Sequence, residues 1–206
     1  MTAYHFIEIG TSDFDTVAQA VGNDAKGISV EPIRMYLDRV PSKANCTKVC
    51  AAISDTEGEV EVFYVKPEEI EKHNLPWWVR GSNSIIDMHP NVKRILDERK
   101  IPLEQVVTTE TVKTMRLKTL IDEFNVSSLE LLKIDTEGHD AKILLDYFNC
   151  CINDNYPEPK SIVFEHRADE FDYGEEYNKV LSIAQSLNYN IQEYIADTVL
   201  QKRSIT

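Results

Sequence analysis

Short apolar runs alternate with helically spaced apolar residues along most of the chain. Tyr4–Gly10 (YHFIEIG) is β-rich and ends in turn residues, which predicts a strand. Phe14, Val17, Ala18 and Val21 follow at helical spacing, with Gly22 as a stop. KGISVEP predicts a second strand closed by Pro32, IRMYLDRV a helix ending at Pro41, and TKVCAAIS a third strand. DTEGEVEVFYV turns at Glu57-Gly58 into another strand. Residues 76–90 (PWWVRGSNSIIDMHP) have no clean period and read as an ordered loop, with NVKRILDER helical after it. LEQVVTTETV predicts a strand and RLKTLIDEFNV a helix. SLELLKI is almost continuously apolar, as a strand covered on both faces should be. HDAKILLDYFNCCI predicts a helix, PKSIVFEH a strand, YGEEYNKVLSIAQSLNY a long amphipathic helix, and NIQEYIADTVLQKR a terminal hairpin.

Strands alternating with helices imply parallel pairing through right-handed crossovers. The expected fold is therefore α/β: a doubly wound, mostly parallel sheet with an antiparallel C-terminal edge. A chain of 206 residues without repeats or linkers reads as one domain spanning 1–206.

Composition narrows the partners. The net charge is −13 and no Lys/Arg run appears, so nucleic acid is not expected as a partner. No stretch approaches the roughly 20 apolar residues of a spanning helix, so no membrane is expected. Cys46, Cys50, Cys150 and Cys151 form no CxxC pair, and the N-terminus meets Glu8 before any apolar leader develops. Reduced thiols and a cytoplasmic location are the expectation.

In open α/β sheets, ligands bind beyond the carboxyl ends of the strands. Those ends carry Glu8 and Gly10, Glu31-Pro32, Ala52-Ile53-Ser54, Asp135 with Glu137, and Glu165-His166. The first turn, Glu8–Asp15, lacks GxGxxG and is flanked by acids, which suits a pyrophosphate poorly. A cofactor with a cationic centre, an amino group and a ribose fits better. Glu31 stands roughly twenty positions past Glu8, as a ribose-hydroxyl acceptor would. S-adenosylmethionine has these features.

FIEIGTSDFDT, GISVEP, AAISDTEGEVEVF, SNSI, LLKIDTEGHDAKILL and SIVFEH occur in the order seen in the FkbM family of S-adenosylmethionine-dependent methyltransferases. The resemblance covers roughly residues 4–170, and KIDTEGHD is its most specific block. It implies a class I methyltransferase (Rossmann-like) fold with a seven-stranded sheet and O-methylation of a sugar, polyketide or other small hydroxylated acceptor. It also implies that Glu8, Gly10, Thr11, Ser12 and Phe14 surround the methionine part. Glu31 and Pro32 would meet the ribose, and Ala52, Ile53 and Ser54 the adenine. Asp135 would face the methionine amino group and the acceptor. Phe14 stands where methyltransferases commonly carry a second glycine.

Methyl transfer to an alcohol needs a proton acceptor, and Asp135, Glu137, His139, Glu165 and His166 are the candidates. Trp77 and Trp78 with Ser82, Asn83 and Ser84 are candidates for the acceptor wall, whereas His5, His73 and His89 read as structural or surface residues. The acidic runs near Glu57–Glu61 and Glu68–Glu71 read as solvated faces. No dense D-x-D cage is present, so no metal is assigned. Asp135 and Glu165, with Glu137, are the ligands a divalent ion would find. Two rivals stand beside the enzyme: an inactive S-adenosylmethionine-binding or scaffold module of the same fold, and a nicotinamide oxidoreductase, which the missing GxGxxG disfavours.

Overall fold

The computed structural model describes residues 2–14, 16–166 and 174–203. The strands are β1 (Thr2–Ile9), β2 (Gly27–Val30), β3 (Cys46–Val49), β4 (Ala52–Ser54), β5 (Gly58–Val65), β6 (Val107–Arg116), β7 (Val126–Ile134), β8 (Ser161–Glu165), β9 (Tyr189–Glu193) and β10 (Asp197–Lys202). The helices are α1 (Val17–Ala20), α2 (Arg34–Leu37), α3 (Pro67–Lys72), α4 (Pro90–Glu98), α5 (Leu117–Glu123), α6 (Asp140–Asp154) and α7 (Gly174–Ser186).

Seven strands form the main sheet in the order β3-β2-β1-β7-β8-β10-β9. The first five are parallel, and β10 and β9 close the edge antiparallel. The chain winds outward from β1 to β3, then returns past β1 to lay down β7 and β8. The order therefore reverses between β1 and β7, where such sheets open a crevice. Register sets Glu8 opposite Lys133 and Ile9 opposite Ile134, so the two strand ends are level at that crevice.

Both faces of the central strands are covered, which is why β2 (GISV) and the ends of β1 (FIEI) and β7 (LLKI) are mostly apolar. Ile143, Leu144, Phe148, Val180 and Ala184, from α6 and α7, share a core with Ile7, Ile28, Leu132 and Ile162. Phe6 and Leu131 pack with Ala18 and Val40 on the other face. Each buried large apolar side chain contributes about 1.5–3 kcal/mol.

The expected architecture holds, with three differences. TKVCAAIS is not one strand. It breaks at Cys50-Ala51; β3 stays in the main sheet, and β4 pairs with β6 in a three-stranded sheet of order β4-β6-β5. The first two helices are single turns: Thr16 starts α1 through a capping box, and Val21, extended, ends it. The Glu68–Glu71 run lies in α3, whose first turn has Pro67 and two acids and whose Ile70 is buried. Asp15 of the expected first helix and Tyr173 of the expected last one lie outside the described residues.

Candidate functional site

The crevice begins with the turn after β1. Gly10 has φ +77°, and a Cβ there would lie 1.7 Å from the Asp135 carbonyl oxygen. Only glycine lets the turn approach the end of β7 this closely. Beneath it, Glu8 is fully buried. Its carboxylate accepts the Val17 N–H at 2.9 Å and the Thr11 hydroxyl at 3.1 Å, with Lys133 Nζ at 3.4 Å. Burial pushes the Glu8 carboxyl up, and Lys133 works against that rise. Glu8, expected among the cofactor contacts, instead ties the turn to α1 and lines neither cavity.

Glu31 is also buried, at the end of β2. Its two oxygens accept the Ser12 N–H at 2.9 Å and the Ile33 N–H at 3.1 Å. Burial raises its carboxyl to about 7 in spite of these bonds. Glu31 borders a narrow apolar slot walled by Pro32, Ala52, Ile53 and Ile85. Asn83 joins that wall, and its buried Oδ1 has no hydrogen-bond partner. At 30 Å³ the slot is about the size of one water molecule, so a flat ring would have to part its walls.

Gly10 and Asp135 connect the slot to a 470 Å³ cavity. Thr11, Ser12 and Phe14 form one side of it, and Trp78, Gly81 and Ser82 another. The first turn and the 76–84 segment are locked together. The Ser12 hydroxyl donates to the Arg80 carbonyl at 3.1 Å, Asp13 pairs with Arg80 at 3.1 Å, and the Arg80 guanidinium lies over the Phe14 ring. Asp135, Glu137 and Glu165 also line it, each offering a carboxylate oxygen within 4.8 Å of the others. Among the described residues this is the one acid group tight enough to hold a metal ion. Glu137 adopts φ +52° in the turn after β7, and its carboxylate lies 3.2 Å from His89 Nε2.

The other expected residues lie elsewhere. His139 is buried and turned toward β4, with Nε2 3.1 Å from the Ser54 hydroxyl and 3.8 Å from Asp55. Burial lowers its pKa, and neither it nor Ser54 lines a cavity. His166 is held by the terminal hairpin: Nδ1 is 2.8 Å from the Thr198 hydroxyl, and the ring stacks on Tyr177. Trp77 is 60% exposed and meets Phe14 edge-on outside the cavity. Ser84 donates to the Glu137 carbonyl at 2.9 Å, supporting the turn from behind.

Lining residues absent from the expected site are Gly81, His89, Asn91, Lys133, Ala196 and Asp197. Two carried a signal. Lys133 is the one charge within LLKI, the apolar end of β7. His89 precedes Pro90, a favoured first helical residue, and its Nδ1 accepts the Asn91 N–H as an N-cap would.

The methyltransferase FkbM domain model matches residues 4–191 of the chain. No curated protein sequence matches it. A solved E. coli structure described as a "putative DNA modification methyltransferase encoded within prophage" is similar over 97% of this chain, with 8% identity and a TM-score of 0.47; this chain spans 47% of that one.

Proposed function

Since this chain belongs to the FkbM methyltransferase family, we propose that it moves the methyl group of S-adenosylmethionine to a hydroxyl of a sugar or other small hydroxylated acceptor. The observation that carries this reading is the pairing of a narrow apolar slot, edged by the buried carboxylate of Glu31, with a cavity whose lining gathers Asp135, Glu137 and Glu165.

The side chains suit that cofactor. Glu31 would accept the ribose hydroxyls, Pro32, Ala52 and Ile53 would hold the purine, and the unpartnered Asn83 Oδ1 would accept from its amino group. The three carboxylates answer a ligand carrying an ammonium and a sulfonium. When bound, the cofactor supplies an electrophilic methyl group on a sulfur leaving group. The remaining work belongs to the chain: aligning the acceptor oxygen, excluding water and accepting the hydroxyl proton. We assign the proton to Asp135, whose side chain is 42% exposed while Lys133 holds one of its oxygens at 3.4 Å. Trp78, Ser82 and Asn91 are the acceptor-side contacts we propose.

A divalent ion on Asp135, Glu137 and Glu165 is a second reading, favoured by their spacing. It would polarise the acceptor hydroxyl. Full methyl transfer after exhaustive chelation eliminates it.

Nucleic acid is not carried over as an acceptor, because a net charge of −13 opposes a phosphate backbone. No helix among the described residues is long and apolar enough to cross a membrane; a cytoplasmic location is part of the same proposal.

Calorimetry with S-adenosylmethionine, S-adenosylhomocysteine and NAD tests the cofactor, and methyl release over a panel of glycosides and simple alcohols tests turnover. Binding of the first two ligands alone is expected. NAD binding in their place sinks the reading, and cofactor binding without turnover on any acceptor favours the inactive module.

A further inference from the structure

An ammonium group sits at the root of the crevice. Lys133 occupies β7 between β1 and β8, opposite Glu8 on one side and Val163 on the other. Its side chain reaches the strand end with Nζ 3.4 Å from a Glu8 oxygen and 3.4 Å from an Asp135 oxygen, and it lines the larger cavity. Among the described residues lining that cavity it is the one Lys or Arg; Asp135, Glu137, Glu165 and Asp197 bring only acids.

That balance poses a problem for the cofactor's amino-acid tail. Its ammonium and sulfonium suit the acids, but its carboxylate would be repelled by them. Anions are usually received at a strand-to-helix turn by backbone N–H groups. Here four of those donors are already committed. The Gly10 and Thr11 N–H groups donate to the Val30 carbonyl, the Ser12 N–H to Glu31 and the Val17 N–H to Glu8. The hydroxyl protons are committed as well, Thr11 to Glu8 and Ser12 to Arg80. Arg80 is engaged with Asp13, and Lys133 is the cation that lines the cavity; its ammonium has three protons, so a third partner can join Glu8 and Asp135.

We propose that Lys133 binds the α-carboxylate of the cofactor's methionine part and selects ligands that carry it. This rests on the cofactor reading above. It goes beyond it by giving Lys133 a task other than neutralising Glu8.

The test uses two ligands that differ in one group: S-adenosylhomocysteine and its decarboxylated analogue, S-adenosylthiopropylamine. Calorimetry on the unaltered chain should find the analogue about tenfold to a hundredfold weaker, the worth of a charge-assisted hydrogen bond. Lys133→Met should bind S-adenosylhomocysteine as weakly as the analogue, with the preference shrunk to within about twofold, so that ligand and side chain form a coupled cycle. Lys133→Arg should restore most of the preference. Should Lys133→Met fail to fold because Glu8 is left buried and unpaired, the double variant Glu8→Gln/Lys133→Met carries the same comparison. A purely structural lysine would lower both affinities equally and leave the preference intact, which overturns the inference. Equal binding of both ligands by the unaltered chain overturns it alone; binding of neither overturns the cofactor reading too.

Discussion

Glu31 accepts two backbone N–H bonds, which favour its charged form, yet lies in surroundings that favour the neutral one. Burial wins and holds the carboxyl at about 7. An ionised carboxylate accepts two ribose hydroxyls, and a protonated one cannot. Affinity for S-adenosylhomocysteine should therefore rise with pH through about 7, by about tenfold from pH 6 to 8, and level off above. Glu31→Gln should flatten that dependence and weaken binding by about 1.5–3 kcal/mol. Calorimetry across the pH range reads both effects, and a pH-independent affinity in the unaltered chain removes the ribose role. Asp135→Asn should abolish most methyl transfer while leaving the melting temperature almost unchanged. The backbone there is fixed by the Asp135 N–H bond to the Ile9 carbonyl, and the amide fits the same space but takes no proton. Near-native turnover would make that acid a structural one.

The junction of β7 and α6 is the element on which the acids converge. Asp140 is fully buried, and burial raises its carboxyl to about 6. It accepts the Thr136 N–H at 3.1 Å, the Thr136 hydroxyl at 2.6 Å and the Glu165 N–H at 3.2 Å. One side chain thus joins the turn bearing Asp135 and Glu137 to the strand end bearing Glu165. Asp140→Ala should cost about 3 kcal/mol, measured by denaturant unfolding, because one buried donor and two half-buried ones lose their acceptor. An unfolding free energy within error of the unaltered chain would rule that bracing out. This junction was legible in the sequence because LLKI and AKILL change period across a short acidic turn. The end of TKVCAAIS was not: an unbroken apolar run does not announce that its two halves enter different sheets. That the His139 and Glu8 side chains line neither cavity was hidden for a related reason. Spacing puts a residue at a strand end, but only packing decides whether its side chain faces the crevice or the core beneath. Lys133 was passed over because the sequence shows a charge in an apolar strand but not its partners, Glu8 from another strand and Asp135.

Across the whole molecule, Glu31 and Asp140 give stability a definite slope with pH. In the unfolded chain both release their protons near 4, and in the folded chain near 6 to 7. Between those values the folded chain holds more protons, so stability falls as pH rises through that window. The net charge of −13 acts in the same direction through self-repulsion. The melting temperature should be higher near pH 5.5 than near pH 8, and scanning calorimetry showing the reverse would mean that other carboxylates dominate. The division of the chain between two sheets also bears on how the nucleoside slot works. Glu31 and Pro32 follow a strand of the large sheet, while Ala52, Ile53 and Val62 belong to the small one, and the slot's 30 Å³ is less than a purine needs. Such a seam can widen without breaking either hydrogen-bond ladder, as a book opens along its spine. Cofactor exchange should then register in amide hydrogen exchange as slowed β5 and β6 protons on ligand binding while β1 and β7 stay as they were, and the rate at which the seam parts would set how fast spent cofactor leaves.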